Sequence, residues 1–146
     1  MDRATRDHLE VLSREECLAL LGTRPVGRLG VSIEALPAIL PVNFCLHADR
    51  IIVRTVPGTK LDAATAQTVV AFDDDYDPAG RWGWSVLVRG VGVEITAPDE
   101  LAKARALPLR AWAFKAGDAN RFLAIDTTVV TGRRFSRPGG SGGGLQ

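Results

Sequence analysis

The stretch "GWSVLVRGVGVEIT", Gly83 to Thr96, constrains the fold more than any other segment of this chain. Trp84, Val86 and Val88 alternate with Ser85, Leu87 and Arg89, the period of two that marks a strand with one buried face. Gly90 and Gly92 then interrupt the pleat and read as bulges. A strand this long and broken by glycine suits a barrel whose strands bend at its corners.

The remaining segments supply partners for that strand. From Pro25 onward, Val26, Arg28 and Gly30 fall on one side and Gly27, Leu29 and Val31 on the other. Leu36 to Leu46 and Arg50 to Val56 read as two further strands joined by a polar His47-Ala48-Asp49 turn, a hairpin pattern. Thr68 to Phe72 is a compact β run that ends in acid, and Phe122 to Phe135 returns to β spacing with Ile125, Thr127, Val129 and Thr131 on one face. Ser13 and Glu16 form the Ser-x-x-Glu capping box of a helix to about residue 21, closed by Gly22. A second helix is expected over Thr59 to Ala66, and a third from Pro98 to about 107, with Asp99 and Glu100 in its first turn. Six strands and two or three short helices with hairpin connections predict a mainly β fold, a six-stranded antiparallel barrel. The barrel domain is expected over residues 11–135, between a mobile arm at 1–10 and a flexible Gly-rich tail at 136–146.

With 146 residues, 46% of them hydrophobic, the chain has the size and apolar content of one globular domain with a core of its own. A formal net charge of +1 provides no general attraction to nucleic acid or to an anionic membrane, so neither is an expected partner, and any anion must be caught by a local arrangement. Cys17 and Cys45 stand far from any Cys-x-x-Cys spacing and read as buried thiols of a cytosolic protein. The charged N-terminus lacks the apolar core of a signal peptide, and no apolar run approaches the ~20 residues of a membrane span, so a cytoplasmic location is expected.

Several chemistries are excluded residue by residue. His8 and His47 are the sole histidines, one in a polar arm and one in a turn, and assemble neither a zinc cluster nor a catalytic triad. Asp73, Asp75 and Asp77 of "FDDDYD" have the alternate spacing of a calcium loop, yet Pro78 stands where that loop needs glycine and Trp84 where it needs glutamate. The run therefore reads as a solvated strand end before a Pro-Ala-Gly turn. "GVGVEI" lacks the third glycine of a dinucleotide fingerprint.

"RTVPGTKL", Arg54 to Leu61, survives this pruning. If a strand ends at Val56 and a helix begins at Thr59, Arg54 and Thr55 leave the strand where the Gly58, Thr59 and Lys60 amides lie at a helix N-terminus. A forked guanidinium, a mobile ammonium and two hydroxyls match a phosphate monoester. An ordinary capped turn fits the same residues, and the stretch alone leaves both readings open.

The ordered segments "VGRLGV", "PVNF", "IIVRTVPGTKLDAA", "VAFDDD" and "GWSVLVRGVGVEI", behind the capped first helix, resemble the pyridoxamine 5′-phosphate oxidase-like split-barrel proteins. The likeness is greatest to their small single-domain branch, which includes nitroimidazole-resistance-type members. The resemblance implies a Greek-key split barrel that dimerises, with FMN at the subunit interface. It implies that Arg54, Thr55, Thr59 and Lys60 hold the phosphate, that Pro41, Val42 and Asn43 run along the flavin ring, and that Trp84 and Ser85 lie near the cofactor, with Trp82 and Trp112 as further candidates. For Trp84 a core or interface aromatic is an equal alternative. Relatives that bind a deazaflavin coenzyme or haem keep those cofactors as alternatives to FMN.

Pyridoxamine phosphate oxidases proper end in an Arg-rich segment with a histidine, whereas this chain ends "TGRRFSRPGGSGGGLQ", which argues against vitamin B6 oxidation. The implied activity is a flavin-dependent oxidoreductase acting on a small molecule that the sequence does not identify; a non-catalytic binder of flavin, deazaflavin or haem is the alternative.

Overall fold

In the computed structural model, residues 8–55, 69–109 and 121–136 are described. They form β1 (His8–Val11), α1 (Arg14–Leu21), β2 (Val26–Ile33), β3 (Leu36–His47), β4 (Arg50–Thr55), β5 (Val69–Tyr76), β6 (Trp82–Glu94), α2 (Pro98–Arg105), β7 (Arg121–Ile125) and β8 (Val129–Ser136). Strands β6, β5, β2, β3, β4 and β7 follow one another around a closed antiparallel barrel, and the β6–β7 pairing completes the circle. The expected six-stranded split barrel is therefore present, with β8 and then β1 added beyond the first half of β6. The expected arm thus contributes β1, whose His8 pairs with Ser136 and whose Val11 pairs with Arg133. The helix expected over Thr59 to Ala66 lies outside the described residues. Among those described, no helix is long and apolar enough to cross a membrane.

Two tight turns set the register of β2, β3 and β4. Glu34 and Ala35 have φ of 51° and 66°, and Ala48 and Asp49 have 51° and 59°, the paired left-handed geometry of type I′ hairpins. Alanine carries a Cβ penalty in that region. Replacing Ala35 by glycine should therefore stabilise the protein by ~0.5–1 kcal/mol and raise Tm by ~2–4 °C in a thermal melt, even after glycine's extra unfolded-state entropy is counted. An unchanged or lower Tm would show that this turn carries no such strain.

The barrel splits where β6 changes partner. Trp82 to Arg89 pair with β8, whereas Gly92 to Glu94 pair with β7. The sequence reading placed bulges at the glycines, but the register to β5 runs unbroken from Val69↔Val91 to Tyr76↔Trp84. Gly90 serves instead as a corner: a Cβ there would lie 2.3 Å from the carbonyl oxygen of Asp126. The same corner divides the segment expected as one strand from Phe122 to Phe135 into β7 and β8. Thr127, 1% exposed, sits in the break, donates its hydroxyl proton to the Asp49 carbonyl and accepts from the Arg14 guanidinium. Helix, hairpin and barrel corner are thereby joined.

The barrel interior is apolar. Leu29, Ile51, Phe72 and Val88 are fully buried, and Phe44 meets Phe72 edge to face at 4.6 Å. α1 begins with the expected capping box, Ser13 and Glu16 satisfying each other's backbone amides, and sends Cys17, Leu18 and Leu21 into this core. A second cluster lies outside the barrel wall, where Ile52, Phe122 and Ala124 pack with Ile95, Ala104 and Leu109. α2 supplies that cover from a Pro98 start with Asp99 and Glu100 in its first turn.

Candidate functional site

Alternation along β4 decides which way its side chains face. Ile51 and Val53 belong to the barrel core and Ile52 to the outer cluster, so Arg50, Ile52 and Arg54 share the outer face. On β3, Val42 and Phe44 are core residues, which places Asn43 on the outer face as well. The last β3–β4 pair is Phe44↔Val53, and one step further in register Asn43 stands opposite Arg54.

Both side chains hold a buried polar atom without a hydrogen-bond partner, Nε of Arg54 and Oδ1 of Asn43. Leaving such atoms unmet costs roughly 1–3 kcal/mol each, so native proteins rarely keep them without a reason. The Arg54 guanidinium carbon lies 5.4 Å from the centre of the Phe122 ring, which faces it across the β4–β7 ladder. That aromatic face fixes the guanidinium at a wall rather than in open water. A donor and an acceptor side by side on an outer barrel wall fit a ligand with an anionic or polar edge, and an FMN phosphate or ribityl chain meets that description.

The other expected site residues are distributed differently. Thr55 is 3% exposed and lies on the barrel-facing side of β4, opposite to Arg54. Pro41 is exposed and Val42 is 6% exposed with its side chain in the core, so along this segment Asn43 alone turns a polar side chain outward. Trp84, 4% exposed, is part of the barrel core, the aromatic role left open by the sequence. Ser85 is half-buried on the outer face of β6, in register between Asp75 and Arg133. Two strands, β5 and β2, separate β6 from β3 on one side and β7 separates it from β4 on the other. Within one chain, then, Arg54 and Asn43 are brought together while Trp84 and Ser85 stand on another wall. Thr59, Lys60 and Trp112 lie outside the described residues, and Trp82 is half-exposed, its ring 5.8 Å from that of Tyr76.

The acidic run differs from its expected form. β5 continues through it to Tyr76, because alternate acids have different destinations. Asp73 and Asp75 point outward and clamp the Arg28 guanidinium at 2.7 and 3.2 Å. Asp74 points inward, 5% exposed, with an Oδ2 that has no hydrogen-bond partner. Burial pushes its carboxyl up to about 6, against the opposing pull of the Asp75 amide and of Arg24 at 3.7 Å. Arg24 also stacks over Tyr76 at 5.0 Å. The signal was available: Phe72 faces the core, and a period of two places Asp74 on the same side.

Known proteins agree with this architecture. A family model described as pyridoxamine 5′-phosphate oxidase matches residues 13–134. The chain is 39% identical over 130 residues to the uncharacterized protein Rv0080 of Mycobacterium tuberculosis, a match spanning 85% of this chain and 84% of that one. Among solved structures, the FAD binding protein from Mycobacterium smegmatis is 33% identical with a TM-score of 0.79, covering 87% of this chain and 98% of that one. An FAD and heme binding protein from the same organism has a TM-score of 0.67 at 18% identity, covering 90% of this chain and 74% of that one, and so shares the fold. The family match from the capping box to β8, together with the closed barrel, shows that this chain belongs to the pyridoxamine 5′-phosphate oxidase-like split-barrel family.

Proposed function

We propose that this protein binds a flavin, FMN in the first instance, as a homodimer, and that it acts as an oxidoreductase on a small molecule. The observation that carries the reading is the pair of unmet buried atoms, Arg54 Nε and Asn43 Oδ1, adjacent on the outer wall of β3 and β4. When bound, the flavin supplies the redox chemistry, exchanging a hydride at N5. The chain's own residues supply position. Arg54, held against Phe122, binds the phosphate with a charge-assisted hydrogen bond, and Asn43 donates or accepts along the polar edge of the cofactor. The β3 backbone from Pro41 to Asn43 gives the ring a rigid floor because it is locked between β2 and the core. Lys60 and Thr59 complete the phosphate cradle in the family's motif, whereas Thr55, turned to the barrel side of β4, contributes no side chain to it.

The homodimer is supported by an exposed apolar band on the barrel's outer face. Ile39 is 72% exposed and Val69 75%, while Val91, the cross-strand partner of Val69, and Val129 are also exposed. Bands of this kind mark interaction surfaces in soluble proteins. Leu87, also exposed, continues the band on β6, and Ser85 stands two residues from it on the same face, so a second copy seated on this band would lie next to Ser85.

Spectroscopy and titration test the reading. The purified protein should show a flavin spectrum after FMN is added, with saturable binding; a colourless protein that never saturates sinks the proposal, and a Soret band instead assigns haem. Arg54→Ala should weaken FMN by ~10–100-fold, the loss of one charge-assisted bond, while riboflavin, which lacks the phosphate, changes little. Equal losses for both ligands would trace to a fold defect. NAD(P)H reduction of the bound flavin, followed by turnover on an acceptor, separates an enzyme from a carrier.

A further inference from the structure

A cavity of about 170 Å³ lies on the outer face of β4 beyond the candidate flavin site, between the β3–β4 hairpin and α2. Its floor is apolar and sealed: Ile52 is 1% exposed, Ile95 6% and Ala104 2%, with Leu107 beside them. Its rim is charged. Arg50 and His47 come from the hairpin, and Lys103 and Glu100 from α2. Among the described residues, neither Arg50 nor Lys103 forms an ion pair with Glu100, which leaves the hydrogen-bond donors of both free to meet an anion at the cavity mouth.

We propose that this cavity is a second ligand site, one that takes a small monocarboxylate with an apolar body of about one ring. Size sets the body: apolar cavities of roughly 150 Å³ admit one benzene-sized molecule. The floor sets its polarity, since Ile52, Ile95, Ala104 and Leu107 offer no hydrogen bond from their side chains. Arg50 sets the head group, because a guanidinium fork matches a planar carboxylate with two parallel bonds. Glu100 on the same rim offsets one of its two cations and leaves about one net positive charge, which a single carboxylate matches, while the apolar floor has nothing to offer a bare phosphate. Arg50 and Arg54 lie four residues apart on one strand, about 13 Å at the rise of a β-strand, so this site is separate from the flavin phosphate site. The inference does not rest on flavin binding.

Benzoate is the probe, added to the full-length, isotope-labelled protein and followed by amide chemical shifts. The expected result is saturable shifts confined to Ile52, Ile95 and Ala104 and their neighbours, with a Kd on the order of 1 mM. Benzamide, the uncharged isostere, and inorganic phosphate, the charge without the ring, should each bind at least ten-fold more weakly. Arg50→Gln should weaken benzoate ten-fold or more while the remaining spectrum is unchanged. Should that variant fail to fold, Lys103→Gln on the exposed helix face takes its place, with a loss of three-fold or more. Benzamide or phosphate binding as tightly as benzoate, shifts absent at ten times the expected Kd, or a folded variant with undiminished affinity would each overturn the proposal.

Discussion

Gly90→Ala is expected to destabilise the protein by ~3 kcal/mol or more, enough to leave little folded material at 37 °C. The new Cβ would lie 2.3 Å from the Asp126 carbonyl oxygen, a backbone atom that cannot turn aside as a side chain would. Relief requires Asp126 to move, and Asp126 sits where β7 ends and the chain crosses to β8. Moving it loosens the Ile125↔Gly92 pairing that closes the barrel and the adjacent Thr127 bond to Asp49. Gly30→Ala is the matched control, because its Cβ meets nothing closer than 3.6 Å. Alanine there should be neutral or stabilise by ~0.5–1 kcal/mol through the unfolded state. Urea midpoints of the two variants give the comparison directly. A Gly90→Ala protein within ~1 kcal/mol of the parent would show that the corner yields and that β7 is not locked to β6 as described.

Asp74→Asn is expected to remove most of a pH dependence that one buried carboxyl imposes on the fold. The carboxyl's ordinary value is 3.8, and in the folded barrel it rises to about 6. The folded state therefore holds its proton more tightly than the unfolded chain. Its stabilising contribution is complete below pH 3.8 and is lost as pH rises through about 6. A rise of about two units corresponds to ~3 kcal/mol at 1.36 kcal/mol per unit. The difference in unfolding free energy between parent and Asp74→Asn should thus change by ~3 kcal/mol between pH 3 and pH 7, with the variant the relatively more stable at neutral pH. Taking the difference cancels the titration of the exposed acids, whose pairs with Arg28 are half-exposed and contribute little. Parallel stability curves for the two proteins would show that Asp74 reaches water or a full partner when it ionises.

Where neighbours in sequence decide the outcome, the sequence was a good guide. The capping box at Ser13, the Pro98 start of α2, the hairpin at Ala48 and Asp49 and the alternation of β6 all depend on residues within a few positions of one another. Each stands as expected. The segment order was enough to recognise the family. The break in the last strand was not legible, because Phe122 to Phe135 keeps its alternation through Thr127 while the partner strand changes at Gly90. β5 looked finished at Phe72 since acids usually mark a solvated end; Arg28, 45 residues earlier, pairs with Asp73 and lets the strand continue.

The candidate site shows the same division. Arg54 was identifiable from its place behind an apolar run, as was Asn43 from "PVNF", but their adjacency was not. By itself the sequence determined the period of each strand, the caps of the helices and the chemistry carried by each segment, all of which follow from short-range backbone geometry. Tertiary structure alone decided that Asn43 and Arg54 share an outer wall, that Trp84 fills the core, and that Arg24 is the charge set beside Asp74. Those outcomes depend on pairings such as Arg54↔Phe122 and Trp84↔Arg134, between residues far apart in the chain, and no local pattern records them.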